Sequence, residues 1–259
     1  MRKVDWQIIS SVIFSGLLFL IAGLLFAAIG RDTWFLGITM VFAPLIALSF
    51  GASGLRIYAK DTVNKDDRFN TMNLWLAIGL IMLSFAEIAV TLVRLSLNPP
   101  QMALIIALVH LPGLLLWGIG IIQYLRSLNS SLGFIDANKL WMGLFLFATL
   151  TTLSLIVITV IQFPVIGPIE IMVLSPIIVG ISVFTIITTG LVWIFRNGSL
   201  VKPLFFILGA LLLYFVRSLL WLFADTTLGS PIDGLFAIES FILCGTALFM
   251  ARNLGNIHT

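Results

Sequence analysis

Residues 68–94 read RFNTMNLWLAIGLIMLSFAEIAVTLVR, with Arg68 and Arg94 at the two ends and a single charge, Glu87, between them. A helix needs about 20 apolar residues to cross about 30 Å of hydrocarbon. This stretch supplies them and encloses one acid on the way.

The same design recurs along the chain. Apolar runs of bilayer length occupy residues 6–29, 33–58, 72–95, 102–125, 140–163, 169–195, 203–223 and 232–251. Charged residues make up 10% of the chain and hydrophobic ones 60%, with a mean hydropathy of +1.16. That leaves too little polar surface to clothe a soluble domain. The expected fold is all-α: a polytopic membrane protein of eight transmembrane helices forming one transmembrane domain over residues 1–259. Arg2 and Lys3 precede the first run as in a secretory signal. The run is too long for a signal core and flows into a second span, so it reads as an anchor.

Charge sets the orientation. Arg2, Lys3, Arg56, Lys60, Lys65, Arg68, Arg126, Lys139, Arg196, Lys202 and Arg252 all fall on one side of an eight-span path. Only Arg31 and Arg94 fall on the other, with Glu170, Asp225 and Asp233. Positive charge marks the cytoplasmic face, which puts both termini in the cytoplasm of a plasma or inner membrane. The same bias accounts for the isoelectric point near 9.3, so no nucleic-acid partner is expected; the lipid bilayer is. Cys244 is the only cysteine, which excludes an internal disulfide framework and a cysteine-rich metal site.

The halves 1–133 and 134–259 resemble one another. LAIGLIMLSFAEIAVTLVR in the third span lies on FFILGALLLYFVRSLLWLF in the seventh when Gly79 is matched with Gly209. Arg126 aligns with Arg252 after a small gap, and Ala43-Pro44 has a counterpart in Ser175-Pro176. Four spans per half would make both copies start inside, a parallel 4+4 repeat about an axis along the membrane normal. Pro44, Pro112 and Pro176 each remove a backbone donor within a span and should bend it.

Glu87, His110, Arg217 and Glu239 lie well inside spans. An ionised group there costs several kcal/mol and should face the bundle and find a partner. At about 1.5 Å per residue, Glu87 and His110 lie about 12 Å below the outer ends of their spans, and Arg217 and Glu239 about 9–10 Å below theirs. One layer, just outside the midplane, should hold all four. The repeat places Glu87 opposite Arg217 and His110 near Glu239. Ser84, Glu87, Thr91 and Arg94 share one helical face, and Tyr214, Arg217, Ser218 and Trp221 another. The candidate ligand-binding set is therefore Glu87, His110, Arg217, Glu239, Tyr214 and Arg94, lining a polar pocket open to the outside, with Glu170, Asp225 and Asp233 at its rim. The plainer reading makes the same pairs a fixture that docks the two halves.

Several chemistries are excluded. His258 is the only other histidine, so a haem with two axial histidines has no place within the spans. Every lysine lies outside the spans, which removes a retinal Schiff base. No Gly-rich phosphate loop, HExxH or Gly-x-Ser-x-Gly occurs. One histidine and two acids without close ligand spacing do not make a metal site, and no cofactor is expected. The inner half offers Ser10, Ser11, Ser15, Ser49, Ser53, Gln123, Thr185, Thr188 and Thr189 but no acid or base. Ion-coupled transporters carry titratable groups along their path. The pattern therefore favours a binding or sensory module, or a membrane subunit of a larger complex, for a small-molecule or lipid ligand and a partner chain. The alternatives are a small transporter or channel for an uncharged or amphipathic substrate, and an intramembrane enzyme acting on a lipid or isoprenoid.

Overall fold

The computed structural model describes residues 3–60, 68–96, 102–132, 137–162, 168–221 and 231–255. Among them the regular structure is helical, with no strand. The elements are α1 (Lys3–Ala28), α2 (Asp32–Lys60), α3 (Arg68–Ser96), α4 (Met102–Leu132), α5 (Ala137–Gln162), α6 (Pro168–Ile194), α7 (Val201–Leu220) and α8 (Pro231–Gly255). Six of these helices are long and apolar enough to cross a membrane: α2, α3, α4, α6, α7 and α8. In α1 and α5 the described apolar stretches are shorter, Phe14–Phe26 and Phe145–Ser154. Helices are the natural outcome for such a composition, because every backbone donor and acceptor in hydrocarbon must be satisfied within its own segment.

The six long helices close a ring in the order α2, α3, α4, α6, α7, α8 and back to α2. The helix α1 lies outside against α8 and α2, and α5 lies outside against α6. Large apolar side chains face outward all round: Phe14 and Leu24 on α1, Phe85 on α3, Leu115 on α4, Phe147 on α5 and Phe205 on α7 are exposed. An outer surface this apolar is suited to lipid rather than water. Exposed tryptophans carry arginines at two helix ends, with the Arg31 guanidinium 5.4 Å from the Trp34 ring and that of Arg196 4.6 Å from Trp193. Such amphipathic pairs belong at a membrane boundary.

Small residues and buried polar links set the helix spacing. Gly79 of α3 and Gly113 of α4 pack so closely that a Cβ on either would stand 3.0 Å from the other's carbonyl oxygen. The Trp117 indole of α4 lies across this crossing and donates to Leu76 O of α3 at 3.1 Å. Pro44 is buried on α2, and its carbonyl accepts a hydrogen bond of 2.8 Å from Ser84 of α3. Between α1 and α2 the chain reverses at Gly30, whose φ of +65° is a left-handed conformation that glycine adopts without strain.

Near the C-terminal end of α2, Tyr58 donates to Leu248 O of α8 at 2.6 Å, both groups buried. Tyr58→Phe keeps the ring and leaves that carbonyl without its side-chain donor. The expected loss is about 1 kcal/mol, measurable as a lowered midpoint of thermal unfolding in detergent.

Candidate functional site

The buried charges meet in the middle of the ring, between α3, α4, α7 and α8. Arg217 is fixed one turn before the end of α7, and its guanidinium is 1% exposed. It reaches Glu87 of α3 with Nη1 to Oε1 at 2.5 Å and Nη2 to Oε2 at 3.2 Å. It reaches Asp233 of α8 with Nε to Oδ1 at 2.9 Å and Nη2 to Oδ2 at 3.4 Å. A fifth and longer contact, 3.5 Å, joins Nη1 to the Tyr214 hydroxyl. A guanidinium has five N–H donors in a rigid fork, and these five contacts occupy all of them. The planar fork clamps two carboxylates from two different helices, α3 and α8, which a lysine ammonium cannot do with the same geometry.

His110 of α4 completes the cluster. Its Nδ1 lies 2.6 Å from Ile106 O one turn back on the same helix, and its Nε2 lies 3.1 Å from Glu87 Oε1. A carbonyl oxygen only accepts, so Nδ1 carries a proton. Arg217 thus stands between two carboxylates, with the His110 ring against the Glu87 oxygen that Arg217 also contacts.

Aromatic rings wall the charges in. Trp221 donates its indole N–H to Asp233 Oδ1 at 3.1 Å and lies 5.3 Å, centroid to centroid, from the His110 ring. The Arg217 Cζ stands 5.4 Å from the Tyr214 ring and 5.5 Å from Trp221. Tyr214 packs edge-on against Trp117 and, tilted, against Phe241. His110, Arg217, Tyr214, Trp221 and Asp233 are all fully buried, and Glu87 nearly so.

The sequence-derived set is thus divided. Glu87, His110, Arg217 and Tyr214 come together, with the Glu87–Arg217 pair across the ring. The partner of His110 is Glu87, not Glu239. Asp233 is not at a rim but inside the cluster, on the second side of the guanidinium. Glu239 stands apart: its Oε1 is buried without a hydrogen-bond partner, and its Oε2 lies 2.6 Å from where a Cβ on Gly16 of α1 would be. The absence of a side chain at Gly16 makes room for the carboxyl in the α1–α8 seam. The side chains of Arg94 and Glu170, and Asp225 altogether, lie outside the described residues.

The sequence put Trp221 on one helical face with Arg217, put Asp233 at the rim, and named neither as part of the binding set. Their depth was nonetheless informative. Asp233 is in the first turn of α8 and Arg217 in the last turn of α7, so adjacent antiparallel helices hold them at one level.

Comparison with protein-family models, with curated proteins and with solved structures found no match.

The chemistry of the site follows from its saturation. Each Arg217 donor is occupied, both Glu87 oxygens are engaged, and both Asp233 oxygens are held. Glu239 has the opposite character. Removing its charge abandons no partner, so Glu239→Gln should change unfolding free energy by no more than about 0.5 kcal/mol. Glu87→Gln removes half of a buried ion pair and should lower the unfolding midpoint clearly. Thermal unfolding of the two variants side by side in one detergent checks the contrast.

Proposed function

We propose that this chain is a non-enzymatic membrane module, a binding or sensory unit or the membrane subunit of a larger complex, in which the charge cluster latches the two halves of the bundle. The observation that carries this reading is the saturation of Arg217 by Glu87, Asp233 and Tyr214 within a buried aromatic wall. A latch uses its donors on the protein itself. A catalytic or transport site must keep some for its substrate.

The proposed topology has eight crossings with both termini in the cytoplasm of a plasma or inner membrane, α1 and α5 being the outer two. Helix adjacency supports a 4+4 relation between the halves. The contacts α1–α2, α2–α3, α3–α4 and α2–α8 correspond to α5–α6, α6–α7, α7–α8 and α6–α4 when each helix is advanced by four. The relation breaks at α1, which also packs on α8 where Glu239 sits. In this reading the ligand-binding set Glu87, His110, Arg217 and Tyr214 acts by opening the latch, with Glu239 outside it.

The inner half argues against the transporter. Thr185, Thr188 and Thr189 donate to backbone carbonyls of their own helix at 2.8–2.9 Å. Gln123 accepts from Trp75 at 3.0 Å. Hydroxyls spent in this way are poor lining for a polar path. Flux of small neutral and amphipathic solutes into proteoliposomes tests the point. The rate expected is that of empty vesicles, and solute flux abolished by Glu87→Gln would overturn the reading. Turnover of a labelled lipid by the purified protein would overturn it in favour of an enzyme.

A further inference from the structure

At the other end of α3 and α4 from the charge cluster lies a pocket of about 330 Å³ lined by Arg68, Thr71, Gln123, Arg126 and Ser127. We propose that this pocket binds the phosphate of an anionic phospholipid headgroup, with the acyl chains running along the outer face of α3 and α4. The site is separate from the latch and goes beyond the function proposed above.

The lining suits an oxyanion. Among the described residues it holds two guanidiniums, a carboxamide and two hydroxyls, and no carboxylate. The Gln123 amide is oriented by Trp75, whose indole N–H can only donate and lies 3.0 Å from Gln123 Oε1. That leaves the NH₂ end of Gln123 as the donor to a ligand. Ser127 gives its proton to Tyr124 O at 2.5 Å and serves as wall. Arg68 opens α3 and Thr71 stands in its first turn, so the positive end of the helix dipole reinforces the arginines.

The pocket is preformed. Phe69 of α3 packs on Tyr124 of α4 with ring centroids 5.4 Å apart, and Tyr124 stacks on Phe195 at 6.4 Å. Both Phe69 and Tyr124 are buried, so the two helix ends are pinned beside the arginines.

A lipid is favoured over a soluble phosphate by what adjoins the pocket. From Trp75 the next turns of α3 present Met82 and Phe85 outward, and from Gln123 the preceding turns of α4 present Ile119 and Leu115. The Trp75–Gln123 hydrogen bond shows that these two faces meet in one groove. An exposed apolar path thus leads from the cationic pocket toward the bilayer centre, as a diacyl headgroup requires. Basic pockets between helices at a membrane surface recognise headgroups by this combination.

The test uses the purified full-length protein, delipidated in neutral detergent and incubated with phosphatidylglycerol, phosphatidylcholine or inorganic phosphate before native mass spectrometry. One phosphatidylglycerol should be retained per chain in preference to phosphatidylcholine. Arg126→Ala should weaken retention about tenfold, as loss of a charge-assisted hydrogen bond implies, and Arg68→Ala/Arg126→Ala further. Arg126→Lys should recover only part of it. An unchanged unfolding midpoint in each variant shows that the fold is intact; both arginines are exposed. Equal retention of the two lipids, undiminished retention by the double variant, or inorganic phosphate displacing the lipid at equal concentration would each overturn the proposal.

Discussion

Arg217→Ala should lower the unfolding free energy by about 3–5 kcal/mol, the range for breaking a buried ion pair by deleting one partner. The size follows from what is left behind. Glu87 and Asp233 would face each other from α3 and α8 with no guanidinium between them, with His110 beside Glu87 and the Trp221 indole on Asp233. Arg217→Lys should recover little. An ammonium is a point charge on a flexible stem, whereas the native fork meets two carboxylates at once. A triple replacement by apolar side chains of similar volume, Glu87→Leu, Arg217→Met and Asp233→Leu, should be far milder than Arg217→Ala alone, because no carboxylate is left buried without the guanidinium. Thermal unfolding of the three variants in a common detergent gives the comparison. A single-alanine variant as stable as wild type would mean that the charges do not meet.

Gly79→Leu should have the second large effect. A Cβ at this position meets the Trp117 indole, with Nε1 at 2.7 Å, and Gly113 O at 3.0 Å. A whole leucine cannot be seated unless α3 and α4 separate. Separation would break the Trp117–Leu76 hydrogen bond and draw His110 away from Glu87 two turns further along. Overpacking of a close-packed contact costs about 1–3 kcal/mol, and the lost polar contacts add to it. Gly113→Leu should behave similarly, since its Cβ would meet Leu83 Cγ at 2.6 Å. Gly143→Leu on α5 is the control: nothing lies within 4 Å of a Cβ there, and its effect should be within about 0.5 kcal/mol. Unfolding midpoints check all three, and loss of the native tryptophan near-UV signal should accompany the first two alone.

The membrane-crossing helices were legible because hydrocarbon imposes a length and charge marks its limits. Matching Gly79 with Gly209 put Glu87 opposite Arg217, and those two side chains pair. The faces of α8 were not legible. Asp233 and Glu239 are six residues apart, and at about 100° per residue they project about 120° apart around the helix. One turns into the ring and the other toward α1, and only the packing of α8 between α7, α2 and α1 decides which. Depth along the membrane normal groups residues into a layer, whereas direction within the layer depends on tertiary contacts.

The aromatic wall was harder still. Trp221 sits at a span end, where the general tendency of tryptophan is to anchor at the interface. Here the ring is buried, and its N–H is taken by Asp233. A tryptophan four residues after an intramembrane arginine shares its helical face, and that spacing was the available signal. The hydroxyls of α6 carried the reverse lesson. They left a small transporter open as an alternative, and three of them are engaged with their own helix.

A double-mutant cycle on Glu87 and Arg217, read by reversible unfolding in detergent, addresses the latch most directly. Glu87→Gln, Arg217→Gln and the double variant should show a coupling energy of about 2 kcal/mol or more, near the upper range for residues in contact. Additivity within about 0.5 kcal/mol would mean that the two halves are not tied through these charges.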